Sequence, residues 1–289
     1  MTLAMAWVRT AGPKACELVF CSDSRLSGGN RFDHATKLFS LPRSDCGLAF
    51  AGGTTWAYPM ATALARATEI HGPSATRAMA LRKYLSHLVE ILNQMQAAVH
   101  TYASGEEIPD VTFLFGGWDW RQQKFRLWRI CFDESSSSFI AHERKGNNGF
   151  GLLGQIEFAG DKQYVDTARI VLRELAQGRY GKDMRGGKFD FEPLEVLRDI
   201  LRASKPEDSV GGAPQLMKVF QHMNTRLRGV YWKCGDQARV PHYAGRPLLN
   251  YERADDLWVL DPDSLRTDLL KRGGNADGDH GAGETGPGL

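Results

Sequence analysis

The sequence predicts an α+β fold of four layers, two stacked β-sheets held between two layers of helices in an αββα sandwich. Two observations carry that prediction. Strand-like and helix-like stretches follow one another as strands, two helices, strands, two helices and strands, an order that suits helices covering the outer face of each sheet. The strand-like runs 2–9 and 47–51 also carry apolar residues at both parities, as strands covered on both faces do.

Taken in order, strands are expected over 2–9, 17–22, 35–41 and 47–51, separated by turn residues at Gly12-Pro13, Gly28-Gly29-Asn30 and Pro42-Arg43-Ser44-Asp45. A helix is expected over 54–70, and a second opens after Pro73-Ser74 with Ser74 as N-cap. Ala78, Leu81, Leu85, Leu88, Leu92 and Met95 step by three or four along the second helix and form one apolar stripe. Strands follow over 111–118, 125–132, 139–144 and 150–153. A third helix fits 162–176, with Val165, Ala168, Val171, Leu172 and Leu175 facing inward. A fourth fits 193–203, where Pro193 is tolerated in the first turn. The last strand pair is 216–221 and 229–233.

These elements make one domain over residues 1–240. Residues 241–271 form an extension whose Tyr243, Leu248, Leu249, Tyr251, Leu257, Trp258, Val259 and Leu260 need a surface to cover, on the domain itself or on a neighbouring subunit. Residues 272–289 are rich in Gly and nearly free of apolar side chains, so they cannot offset their ordering entropy and are expected to be disordered.

A formal net charge of +2 over 289 residues gives no reason to expect a nucleic-acid or membrane partner. The N-terminus has no apolar run approaching the ~18 residues of a membrane span, so a cytoplasmic protein is expected. The five cysteines (Cys16, Cys21, Cys46, Cys131 and Cys234) show no paired spacing and read as reduced. The eight histidines lack metal-binding spacing, so neither a metal nor another cofactor is expected. Trp118-Asp119 occurs once and leads into a hairpin connection, which argues against a propeller blade. Asp33-His34 and the serines at 135–138 read as loop chemistry. Lys37 is different: it lies in the apolar run Ala35-Thr36-Lys37-Leu38-Phe39, and a lysine buried there requires a carboxylate such as Asp23.

Four motifs stand in a fixed order: a strand opening at Thr2, Asp23-Ser24-Arg25 at the end of the second strand, Thr36-Lys37-Leu38-Phe39 on the third, and Leu48-Ala49-Phe50-Ala51-Gly52-Gly53 before a helix. Ser209-Val210-Gly211-Gly212-Ala213-Pro214 precedes a later strand. This pattern resembles the proteasome-like branch of the N-terminal nucleophile (Ntn) hydrolases, which includes proteasome β subunits, the bacterial two-component protease of the heat-shock response and the Anbu proteins. The resemblance implies that removal of Met1 exposes Thr2, whose hydroxyl is the nucleophile and whose α-amine is the base. Thr2 follows Met1 directly, so methionine removal is the only maturation step expected. Lys37 would favour the Thr2 alkoxide, Asp23 would orient Lys37 and keep it charged, Gly52 would donate its N–H to the oxyanion, and Gly53 would let substrate backbone approach.

Two departures accompany the resemblance. The Gly-Ser-Gly turn that opens the third helix in this branch is Phe158-Ala159-Gly160-Asp161-Lys162 here, leaving Asp161 as the group available in place of serine. The late loop reads Glu207-Asp208-Ser209-Val210-Gly211-Gly212, with Asp208 and Ser209 as accessory candidates. The implied function is cleavage of peptide bonds through an acyl-enzyme on Thr2, in a homo-oligomeric ring. An inactive assembly subunit and a small-molecule amidase on the same fold stay open, as does an ATPase partner.

Overall fold

The computed structural model describes residues 2–10, 12, 16–99, 108–144, 150, 153–184, 187–233, 238–252, 254 and 256–270. Met1, Cys234 and the segment 272–289 lie outside the described residues. The chain is a mixed α+β fold with two sheets. The first half supplies β1 (Leu3–Thr10), β2 (Cys16–Ser22), β3 (Leu38–Ser40), β4 (Cys46–Gly52), α1 (Thr54–Ile70), α2 (Gly72–Ala75), α3 (Leu81–Ala97), β5 (Val111–Asp119), β6 (Lys124–Asp133) and β7 (Ser138–Glu143). The second half supplies β8 (Ile156–Gly160), α4 (Lys162–Tyr180), α5 (Glu192–Ala203), β9 (Gln215–Phe220), β10 (Thr225–Trp232), β11 (Val240–Tyr243), β12 (Arg246–Pro247), β13 (Trp258–Leu260) and β14 (Thr267–Leu269).

One sheet runs β12-β11-β10-β9-β2-β1-β8, with β13 beside β10 and β14 beside β13; the other runs β3-β4-β5-β6-β7. Three apolar clusters fill the molecule. Leu3, Met5, Trp7, Val19 and Cys21 of the first sheet pack with Val165, Ala168 and Leu172 of α4 and Leu194, Leu197 and Leu201 of α5. Leu48, Phe50, Phe113, Phe115 and Trp128 of the second sheet pack with Ala57, Met60 and Leu64 of α1 and Leu81, Leu85, Leu88 and Leu92 of α3. The third cluster joins the sheets directly, through Ala4, Ala6, Leu18 and Phe20 on one side and Ala49, Ala51, Leu114 and Leu127 on the other. Strands apolar at both parities are the requirement of this packing, because each central strand has a cluster on either face.

Four local expectations are corrected. Of the strand expected over 150–153, residues 151 and 152 lie outside the described residues and Phe150 and Leu153 are in no strand; the strand nearest it is β8, paired with β1 from Leu3↔Gly160 to Trp7↔Ile156. Its buried Glu157 interrupts the apolar run, and that carboxylate is tolerated because Arg144 pairs with it. Ser74 does not cap the second helix: it lies buried inside the short α2, and α3 opens at Leu81 after Arg77 turns the chain with φ 67°. The third strand begins at Leu38 rather than residue 35. Val171 faces outward, 36% exposed, while Ala176 takes an inward place on α4. The segment after β10 prolongs the first sheet, with β11 antiparallel and β13 parallel to β10.

Candidate active site

Thr2 sits at the head of β1, enclosed where β8 and the chain after it close over the strand. Asp161 N–H donates to Thr2 O at 3.0 Å. Gly160 has φ +137°, and a Cβ there would stand 1.8 Å from Thr2 O, so the approach requires glycine.

Asp23 follows the last residue of β2 and is fully buried. Its carboxylate accepts backbone N–H groups from Leu3 at 3.1 Å, Arg25 at 3.1 Å and Gly211 at 3.2 Å, and it accepts from Lys37 Nζ at 2.9 Å. Four donors compensate a charge that would otherwise be costly to bury. Lys37 Nζ also lies 2.7 Å from Thr2 Oγ1, so the ammonium bridges the hydroxyl and the carboxylate. Burial pulls the Lys37 pKa below the ordinary lysine value, against the opposing pull of Asp23 and Asp161. The two carboxylates favour the ammonium, the form that donates to the Thr2 hydroxyl.

At the end of β4, Gly52 adopts φ +110°, with the place of its absent Cβ 2.3 Å from Asp110 O. Gly53 N–H donates to Asp110 O at 2.5 Å and is thereby committed. Phe50 N–H points the other way and reaches Lys37 O at 3.2 Å, and strand alternation turns Gly52 N–H to that same edge of β4. Gly53 is also the N-cap of α1, whose N-terminal N–H groups add positive potential there.

The accessory residues divide. Ser209 Oγ donates to Asp161 Oδ2 at 2.5 Å, which joins the late loop to the chain beside Thr2. Asp208 instead braces its own loop: its carboxylate accepts Lys205 N–H at 2.7 Å and its carbonyl accepts from Arg25 at 3.0 Å. Arg25 holds that loop from below, clasping Asp33 at 2.6 and 2.9 Å and reaching Lys205 O at 2.7 Å.

Sequence reasoning missed two residues. Gln215, the first residue of β9 and buried, accepts Lys37 N–H at 3.0 Å and donates to Asp23 O and Ala35 O, each at 2.9 Å. A polar residue directly after Gly-Gly-Ala-Pro, at the head of an apolar strand, was the available signal. Tyr164 lies one helical turn from Asp161, and its phenol pKa is raised by burial and by Asp208. Among the described residues no group of His, Cys, Asp and Glu could hold a metal ion, Cys16, Cys21, Cys46 and Cys131 are free thiols, and no helix is long and apolar enough to cross a membrane.

No protein-family model and no curated protein matches this chain. Among solved structures it is similar to the Anbu (Gly-1) mutant from Hyphomicrobium sp. strain MC1, with a TM-score of 0.52 and 17% identity over 79% of this chain and 86% of that one, and this likeness shows that the two chains share a fold.

Proposed function

We propose that the protein is an N-terminal threonine amidohydrolase of the proteasome-like Ntn type, a four-layer αββα peptidase acting through Thr2 once Met1 is removed. The observation that carries this reading is Lys37 Nζ, buried and held 2.7 Å from Thr2 Oγ1 and 2.9 Å from Asp23 Oδ1. A lysine bearing on a hydroxyl inside a protein is expensive as structure and useful as chemistry. Thr2 Oγ attacks the carbonyl carbon of an amide, and its proton passes to the freed α-amine, with Lys37 lowering the cost of the alkoxide. Gly52 N–H receives the oxyanion. Collapse of the adduct breaks the C–N bond, the departing amine takes the proton, and water hydrolyses the resulting ester on Thr2. Peptide substrates, a homo-oligomeric ring and a cytoplasmic setting belong to the same reading. The likeness in fold to an Anbu structure supports it.

The test is intact-mass and N-terminal analysis of the purified protein, followed by incubation with a β-lactone or epoxyketone directed at N-terminal threonine. The expected result is loss of Met1 and a single adduct on Thr2, absent from Thr2→Ala. Retention of Met1 in all of the protein would overturn the proposal, since an acylated amine is neither free nor basic.

A further inference from the structure

Lys37 stands on a stretch with no strand ladder of its own, because residues 34–37 are irregular and β3 begins only at Leu38. Backbone and side chains in such a stretch must find partners elsewhere. Gln215 supplies some of them, and Tyr58 Oη donates to Thr36 O at 3.0 Å. Ser24 O accepts Ala35 N–H at 3.0 Å and Phe50 N–H reaches Lys37 O at 3.2 Å, and two further contacts come from the turn joining β11 to β12. Thr36 Oγ1 donates to Ala244 O at 3.2 Å, across 208 positions of sequence, and His34 Nδ1 lies 3.3 Å from Gly245 O.

That turn is stiff and closely fitted. Its two central residues, Ala244 and Gly245, have φ of 51° and 90°, and Tyr243 pairs with Arg246 across them, the geometry of a tight two-residue hairpin. Gly245 is buried, and a Cβ on it would stand 2.6 Å from Ser24 Cβ, 2.9 Å from Ala35 O and 3.4 Å from Gln215 Cδ. Those three residues either flank Asp23 and Lys37 in the chain or hydrogen-bond to them. Pairing of β11 with β10 ties the hairpin to the central sheet.

We propose that the Ala244-Gly245 turn is a positioning clamp for Lys37, so that the C-terminal segment completes the active site by fixing residues 34–37. The proposal rests on the reading of Thr2 as nucleophile. Ala244 and Gly245 touch no reacting atom; they act through the chain that carries the lysine.

Full-length wild type, Thr36→Val, Thr36→Ser and Gly245→Ala are compared by hydrogen exchange and by the concentration dependence of Thr2 modification by a β-lactone. Thr36→Val removes the hydroxyl at nearly constant shape and is expected to lower the maximal modification rate about tenfold, with half-saturation unchanged. Thr36→Ser restores the rate. Gly245→Ala, which pushes on Ala35 and Ser24, is expected to cost about 100-fold, in keeping with small displacements of catalytic groups. In both impaired variants exchange quickens over 34–37 while β5 stays protected. Unchanged exchange over 34–37 in both overturns the clamp, as does faster exchange with an unchanged maximal rate. If wild-type Thr2 takes no label, the nucleophile reading fails on its own, and exchange still decides whether the hairpin holds the lysine segment. If Gly245→Ala does not fold, Thr36→Val against Thr36→Ser decides.

Discussion

Gln215 and Lys37 are joined through the backbone: the Gln215 side-chain oxygen accepts Lys37 N–H at 3.0 Å, and its amide group donates to Asp23 O and Ala35 O. One buried amide therefore ties together the two segments that carry the charged pair. Gln215→Leu removes all three bonds at similar volume and is expected to cost about 3 kcal/mol, since buried backbone groups lose their partner without gaining water. Urea unfolding checks this. A midpoint shifted down at constant slope is the expected signature, and an unchanged midpoint would show the contacts to be incidental.

The depressed pKa of Lys37 makes stability depend on pH in a defined direction. Between its folded value and the ordinary value of 10.5, the unfolded chain holds a proton on Lys37 that the folded chain has released. Stability contributed by this group therefore rises with pH across that window and is lost as pH falls through the folded value. Lys37→Met lacks this dependence, so the stability of wild type relative to the variant should grow as the pH is raised from the folded value of Lys37 towards 10.5. Parallel curves would mean that Lys37 titrates as a solvated lysine. The same variant should take no label on Thr2, and Asp23→Asn should label more slowly than wild type.

Much of this was legible in the sequence. Thr2, Asp23, Lys37 and Gly52 were singled out through the resemblance, with Lys37 also marked as a charge in an apolar run, and the structure brings Lys37 against Thr2 and Asp23. Amphipathic stripes such as Leu81, Leu85, Leu88 and Leu92 are equally plain, because helical period alone selects them. Long-range closure was not legible. The contacts of Gln215 span 178 to 192 positions, and the partner of Thr36 is a backbone carbonyl, which has no identity in sequence. β8 was missed for a related reason: the buried Glu157 breaks its apolar run, and the Arg144 that pairs with it lies on another segment.

Away from the candidate site, the turn between β3 and β4 holds a second fully buried ion pair, with Arg43 Nε 2.7 Å from Asp45 Oδ1 and the guanidinium stacked 4.7 Å from the Tyr84 ring centroid. Arg43 also reaches Ser74 O at 3.3 Å, so the turn is pinned beneath the helices. Arg43→Met leaves Asp45 charged and unpaired in the interior and is expected to cost about 3–5 kcal/mol, while Arg43→Met with Asp45→Leu recovers most of that loss. Chemical denaturation of the two variants and wild type is the measurement. A double variant no more stable than Arg43→Met would show that the pair is needed for its shape rather than its charge balance.

Asp161 offers the sharpest separation of charge from scaffold. Its N–H fixes Thr2 O, its carboxylate takes Ser209 Oγ, and its charge favours the protonated form of Lys37. Asp161→Asn keeps the backbone contact and a polar side chain but removes the charge. With that negative charge gone, the Lys37 pKa falls further, so the limb of the Thr2 modification profile set by Lys37 should move to lower pH. Ser209→Ala keeps the charge and should slow modification without moving the limb in that direction. Profiles measured over a pH series on the three proteins distinguish these outcomes. If Asp161→Asn and wild type superimpose, Asp161 serves Thr2 through its backbone alone, and the carboxylate in place of a serine has no electrostatic role in the site.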